Sequence, residues 1–221
     1  VFLCPSKLDL EYFSKILPKN SYYLPIPINT EKLVWKERKK ANVFVHTASH
    51  GGVAGRKGTS LLIKAMEYVK ADIKLIIYSW SPIHTNDSRI EVKMQNFKNY
   101  WQCWQEGDVL VYPQDYNGVC LPVVEAMASG LGVITTDIFP FNEYMPNELM
   151  FKPYAFQNTH CHQGLIEVRA AKIDPKVIAE KIDEWAGKDI TKFSEYGKQY
   201  GVDNSWLKLL PEYINLFESI L

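Results

Sequence analysis

The chain has 221 residues, 47% of them apolar, with 25 basic and 25 acidic side chains and so no net charge. That length and apolar share suffice for one large or two small packed domains, and the charge balance excludes the broad positive field by which proteins hold nucleic acid or anionic membranes. Four cysteines without CxxC spacing give neither a zinc site nor a disulfide framework, no apolar run approaches the roughly 20 residues of a membrane span, and no basic-then-apolar signal pattern opens the chain, so reduced thiols and a cytoplasmic location are expected.

Taken in order, Val1-Phe2-Leu3-Cys4 is a strand-like run without an initiating Met, which reads as the continuation of a longer chain. Leu8 to Leu17 predicts a helix whose apolar residues are Leu8, Phe13, Ile16 and Leu17, stopped by Pro18. Tyr22-Tyr23-Leu24 predicts a strand, broken by Pro25-Ile26-Pro27-Ile28, and Glu31 to Lys40 reads as a polar, basic linker or exposed turn. Val43 to Thr47 is a strand that runs through the loop Ala48 to Ser60 into a helix from Leu61 to Val69. A glycine-rich turn between strand and helix lets backbone amides approach an anion, and the helix N-terminus adds roughly half a positive charge. Arg56 and Lys57 stand at that mouth, with Gly58 after them. Neither GxGxxG nor GK[ST] is present, which argues against dinucleotide and P-loop nucleotide binding. The loop suits a diphosphate, and two solvated cations on a surface loop are the plain alternative.

Leu75 to Tyr78 predicts the next strand, left through Ser79-Trp80-Ser81-Pro82, where Trp80 reads as core more readily than as a base-stacking residue. Ile90 to Met94 alternates like an edge strand, and Phe97, Tyr100, Trp101 and Trp104 recur at helical spacing, which reads as core. Val109 to Tyr112, ended by Pro113, has the continuous apolar character of a strand buried on both faces. The loop with Asn117-Gly118, a helix from Pro122 to Ser129 stopped by Gly130, and a strand from Val133 to Thr136 complete a crossover of the kind that joins parallel strands. That helix is apolar all round except for Glu125. A buried carboxylate needs a partner, so Glu125 is expected in the strand-end crevice or, failing that, at a partly exposed surface. Leu149 to Phe151 is a short strand, Leu165 to Ala171 another, and Asp174-Pro175 opens a helix to Ala186 with Val177, Ile178, Ile182 and Trp185 as its stripe. His160-Cys161-His162 has metal-ligand residue types, but adjacent ligands point apart and a fourth is missing, so no metal is expected. Thr191 to Tyr200 and Asn204 to Leu221 predict two closing helices. The pattern is α/β, a parallel sheet covered by helices on both faces, with a ligand crevice at its strand ends.

The stretch Asn117-Gly118-Val119-Cys120-Leu121-Pro122-Val123-Val124-Glu125-Ala126-Met127-Ala128-Ser129-Gly130 resembles the EGFGLPxxEAMAxG segment of retaining glycosyltransferases with the GT-B fold, family 4. Looser matches run from Cys4-Pro5-Ser6 through Pro25 to Ile28 and Arg56-Lys57-Gly58 to Glu143 and Leu149, and Phe139 to Glu143 resembles the family's Gly-Gly-x-x-Glu turn with bulky residues replacing the small ones. The resemblance implies a Rossmann-like parallel sheet flanked by helices, the C-terminal half of such an enzyme. Residues 1–40 would be the end of an N-terminal lobe and the hinge, and 41–221 the donor-binding domain. It further implies a nucleotide-diphosphate sugar as donor, transfer with retention, no metal or other cofactor, and an acceptor glycan or glycoconjugate reached through the N-terminal lobe. Carried over, Lys57 and Asn117 take the catalytic positions, Lys57 with Arg56 and Gly58 holds the diphosphate, and the helix start at Leu121, Pro122 and Val123 assists. Glu125 takes the ribose hydroxyls, while Asn117 and the backbone of Gly118, Val119 and Cys120 face the transferred sugar. Two departures stand out: Asn117 replaces the family's Glu, and His50-Gly51-Gly52 stands where a further Arg is usual. Asn bonds hydroxyls but carries no charge, which leaves a second reading, a non-catalytic nucleotide-sugar-binding or assembly module. Another nucleotide-sugar enzyme, such as an epimerase, fits the segment less well.

Overall fold

Apolar runs that are buried on both faces form the centre of the molecule, a computed structural model that describes residues 1–49, 55–94, 97–161 and 166–220. Strands β1 (Phe2–Cys4) and β2 (Ser21–Tyr23) flank helix α1 (Lys7–Ile16) and pair in parallel as a separate two-stranded sheet. There follow β3 (Val43–Ser49), α2 (Thr59–Met66), β4 (Lys74–Ser79), β5 (Ile90–Lys93), β6 (Val109–Tyr112), α3 (Leu121–Ala128), β7 (Gly132–Thr136) and β8 (Met150–Phe151). The antiparallel hairpin of β9 (Ala155–Cys161) and β10 (Ile166–Lys172) and helices α4 (Pro175–Trp185), α5 (Thr191–Asp203) and α6 (Trp206–Ile220) complete the chain.

Six strands form one parallel sheet in the order β5-β4-β3-β6-β7-β8. Every residue of β6 and β7 is buried, which is why both read as unbroken apolar runs rather than alternating ones. The chain builds outward from β3 through β4 and β5, then returns to the other side of β3 for β6. Strand order therefore reverses between β3 and β6, and the loops leaving these two neighbours open at the same end of the sheet. Fully buried His46 ties the junction: its Nδ1 lies 2.8 Å from the Val111 carbonyl and its Nε2 2.8 Å from Thr59 Oγ1. A carbonyl only accepts, so Nδ1 carries the hydrogen and Nε2 accepts the Thr59 hydroxyl. Burial pushes the imidazole down to about 4 and keeps it neutral.

α2 packs against α4, and α3 against α5. The second contact needs glycine, because a Cβ on Gly197 would stand 2.3 Å from the Met127 carbonyl. α6 reaches back to the N-terminal segment, where Ser205 bridges Ile28 and the Tyr213 hydroxyl donates to the Pro25 carbonyl at 2.8 Å.

Several expectations change. The 31–40 stretch is mostly exposed, but Leu33 and Arg38 are buried. The Arg38 guanidinium donates to the carbonyls of Gly107 at 2.9 Å, Trp104 at 2.7 Å, Ser129 at 3.2 Å and Lys36. Ser129 closes α3, so the cation also sits at a negative helix end. Trp80 is 56% exposed rather than core. The aromatic stripe from Phe97 gives only a 3-10 turn, Tyr100–Trp104, although Cys103 and Trp104 are buried as a core reading requires. β9 answers to no apolar pattern, and its polar run is strand because β10 supplies a ladder partner. His50 to Ala54, His162, Leu165 and Leu221 lie outside the described residues. Among the described residues, no helix is long and apolar enough to cross a membrane.

Candidate functional site

The loop leaving β3 and the loop leaving β6 meet at Gly58. This residue caps α2 with φ +70°, and an added Cβ would stand 2.1 Å from the Pro113 carbonyl, so only glycine lets the two loops touch. Lys57, just before it, is half-buried, and its Nζ donates to Ser49 Oγ at 2.6 Å. Among the described residues no carboxylate forms an ion pair with it. Burial, and then the neighbouring Arg56, push the Lys57 ammonium below its ordinary range. Arg56 is exposed, and its charge partly offsets the burial that raises the Asp115 carboxyl.

Across the crevice, Gln114 is buried under the second loop and organises it. Its Oε1 accepts from the amide of Asn117 and from Cys120 Sγ at 3.3 Å, while Asn117 Oδ1 accepts from the Cys120 amide at 3.1 Å. Both ends of the Asn117 side chain are thus engaged inside the loop. Cys120 caps α3 in the left-handed region, φ 57°, and burial pushes its thiol up to about 12, so it stays protonated. The Val123 amide bonds the Cys120 carbonyl at 3.0 Å and its side chain lies wholly in the core, whereas Leu121 is exposed and Pro122 half-buried. Among the described residues, the N–H groups of Gly118, Val119 and Leu121 have no protein acceptor. They stand at the positive end of α3, beside that of α2.

Glu125, one turn into α3, is half-buried. Burial raises its carboxyl to about 7, although the Tyr100 hydroxyl and the Trp104 indole favour the anion. Trp104 Nε1 makes no hydrogen bond of normal geometry among the described residues, so its help to Glu125 is a weak, short-range attraction. Lys57 on one side, oriented amides in the middle and a poised carboxylate on the other suit a ligand with an anionic centre and a hydroxylated flank.

Residues 41–182, more than half of the chain, match the model of the family described as glycosyl transferases group 1. The chain belongs to this family. Its six-stranded parallel sheet matches GT-B glycosyltransferase folds. Sucrose-phosphate synthase from Thermosynechococcus elongatus superposes with a TM-score of 0.70 at 15% identity, over 99% of this chain and 57% of that one. The pneumococcal O-GlcNAc transferase GtfA, solved with UDP and GlcNAc, gives 0.68 at 15% identity, over 99% of this chain and 45% of that one. A glycosyltransferase from Rickettsia africae gives 0.70 at 14% identity, over 99% and 62%. The chain therefore spans about half the length of these structures. No curated protein sequence matches it.

In this group 1 glycosyl transferase chain, a cleft of about 300 Å³ runs from Gly118 and Val119 to the N-terminal segment, with Pro5, Tyr23, Tyr144 and Tyr200 among its walls. Glu143, on the turn after β7, spans the cleft's edge: its two carboxylate oxygens accept from the Lys7 amide at 3.1 Å and the Leu8 amide at 2.9 Å, capping α1. The structure thus brings Lys57, Gly58, Cys120 and the start of α3 together at one strand-end crevice. Arg56 sits at its rim, and Glu125 lies a turn deeper, against Tyr100 and Trp104. Sequence reasoning missed Gln114, Asp115, Ser49 and Tyr144. A polar residue directly after the buried strand and its Pro113 was the available signal for Gln114. The others depend on contacts distant in sequence, such as the Ala171 amide bonding the Asp115 carbonyl at 2.7 Å.

Proposed function

We propose that this chain is the donor-binding lobe of a retaining, family-4-type glycosyltransferase, and that it holds a nucleotide-diphosphate sugar across the ends of β3 and β6. One observation carries the reading: an ammonium that pairs with no carboxylate among the described residues and the N-termini of two helices converge at the point where strand order reverses, the place where open parallel sheets bind ligands. Lys57 and the α2 and α3 amides take the diphosphate, Arg56 adds to the field from the rim, and Glu125 accepts the ribose hydroxyls. The sugar extends toward Gly118 and Val119, with Asn117 shaping their loop from within.

As the bond from the anomeric carbon to the diphosphate oxygen breaks, negative charge grows on the leaving group. Donors already fixed there stabilise that charge more than they stabilise the bound substrate, which is what accelerates a reaction. Each charge-assisted hydrogen bond contributes about 1.5 to 3 kcal/mol, so Lys57 outweighs any single neutral contact. In this reading the protein's own donors meet the charge without a metal, and a cytoplasmic location goes with it.

Residues 1–40 are, on the same proposal, the end of an acceptor-binding lobe and its hinge, with the acceptor glycan or glycoconjugate reached through that lobe. The apolar surface of β1 and α1 supports this, with Phe2, Leu8, Tyr12 and Ile16 each more than 40% exposed. A second reading, a non-catalytic nucleotide-sugar-binding module, is favoured by Asn117, which lacks the family's charge and has both amide ends occupied.

A thermal-shift screen of this chain against UDP, GDP, ADP and their sugar conjugates tests the proposal. A ligand that binds only the folded state raises the unfolding midpoint, and a rise with one nucleotide is expected. A flat response to all of them would contradict a donor site on this chain. Binding without transfer in the full-length protein would decide for the second reading.

A further inference from the structure

Tyr144 is held in a way that the folding of its turn does not require. Its ring stacks on Tyr200 with centroids 5.3 Å apart and meets the edge of Phe141 at 6.4 Å, and the Tyr196 hydroxyl donates to its backbone carbonyl. Two ring contacts thus fix the side chain, and the Tyr196 bond fixes the backbone beneath it. Its own hydroxyl is buried, yet it has no hydrogen-bond partner among the described residues. Burial raises its pKa, so it carries its proton and stands as a donor at neutral pH. An unbonded buried hydroxyl weakens a fold until something accepts from it.

Tyr144 lines the same cleft as Gly118 and Val119, whose amides also have no protein acceptor among the described residues. The walls between these groups are tyrosine and proline rings, Tyr23, Pro25, Pro140 and Tyr200. Of the charged residues there, Glu143 has both oxygens bonded to the α1 amides, and Lys7 is the other. Flat apolar walls with a few fixed donors complement a neutral sugar ring, which has apolar faces and a hydroxylated edge.

We infer that the Tyr144 hydroxyl is a specificity-determining contact, donating a hydrogen bond to one ring hydroxyl of a neutral sugar seated in this cleft. The inference rests on the donor-lobe reading. The sugar is either the one carried by the nucleotide or one belonging to the acceptor. A site built to bond a hydroxyl rejects the analogue that lacks it, because the site's own group is then left unpaired.

The test compares the whole chain with its Tyr144→Phe variant, using the nucleotide found by thermal shift. Calorimetry is run with the nucleoside diphosphate alone, with its sugar conjugate, and with free glucose, galactose and N-acetylglucosamine in the presence of saturating nucleoside diphosphate. The variant's midpoint without ligand is expected to equal or exceed that of the wild type, since no bond is lost. A lowered midpoint would overturn the inference by revealing a partner within the free protein. Affinity for the nucleoside diphosphate is expected to match in the two proteins. Affinity should fall about tenfold in one sugar arm: in the conjugate if the contact is to the donor's sugar, in a free-sugar arm if it is to the acceptor's. Equal affinities in every sugar arm, with the nucleoside diphosphate bound by both proteins, would overturn this inference and leave the donor lobe standing. A wild type that binds no nucleotide would overturn both.

Discussion

The units β1-α1-β2 and β3-α2-β4 are built to one plan, a strand, a helix and a parallel strand, yet they differ in what lies around them. In the second, Phe44, Val45, Leu62, Ala65 and Met66 are completely buried, because β6 extends the sheet past the free edge of β3 and α4 packs on α2. In the first, α1 has no buried residue, Leu8 is 47% exposed and Ile16 58%. Periodicity makes the element, but a second layer makes the core. Two parallel strands and one helix do not bury enough to stand alone. The Glu143 cap on α1 ties the N-terminal unit to the rest of the chain, and just beyond β2 the Tyr213 bond to Pro25 and the Ile28–Ser205 bridge hold the segment that follows it.

The largest effect should come where the buried unit touches the site. Gly58→Ala places a Cβ against Pro113 at a positive φ and should cost more than about 3 kcal/mol by denaturant unfolding. Gly55→Ala, with a similar φ of +72° but nothing among the described residues within 4 Å, should cost about 1 kcal/mol. Equal costs would show that backbone strain, not the meeting of the two loops, fixes Gly58.

Leu62→Ala opens a cavity in the buried unit and should cost about 3 kcal/mol. Acid should strike the same unit. The folded-state pKa of His46, about 4, lies below the ordinary 6.5 of the unfolded chain. The unfolded chain therefore takes the proton first, and the stability that neutral His46 supplies above pH 6.5 is lost as pH falls from there to about 4. The full difference is about 3 kcal/mol, and His46→Gln should flatten that part of the stability profile.

Glu125 gives a smaller effect, read in binding. With its carboxyl near 7 and the anion as the form that accepts ribose hydroxyls, affinity for a nucleotide sugar should rise about tenfold from pH 6 to 8. Glu125→Gln should remove that dependence, and a pH profile unchanged by the substitution would take Glu125 out of the site. The smallest effect belongs to the uncovered unit: Leu8→Ala should change stability by no more than about 0.5 kcal/mol. A loss of about 2 kcal/mol would break the comparison, by showing that something covers α1 in solution.

The strands β3, β4, β6 and β7 and the helices α2 and α3 were legible because a parallel sheet buried on both faces leaves continuous apolar runs that short-range reading can see, and β5, at the sheet edge, was legible from its alternation. Lys57, Gly58 and the start of α3 were legible for a similar reason, since loop, glycine and helix start are adjacent in sequence. What the sequence hid is long-range. Arg38 reads as one more basic residue in a polar stretch, and only the fold gathers four carbonyls around it. Leu8 and Ile16 carry a core-like spacing whose cover the described residues do not supply. β9 is polar and owes its form to β10. The occupied amide of Asn117 is the one local exception, since Gln114 is only three residues away and what hid the pairing is the turn of the loop between them.

The most direct test of the central claim, that a diphosphate is held where β3 and β6 end, is calorimetry of the stabilising nucleoside diphosphate with wild type, Lys57→Ala and Asn117→Ala. Lys57→Ala should weaken binding tenfold or more, as loss of one charge-assisted contact of about 1.5 to 3 kcal/mol requires, and Asn117→Ala should weaken it less. A larger loss from Asn117→Ala, or no loss from Lys57→Ala, would contradict the account.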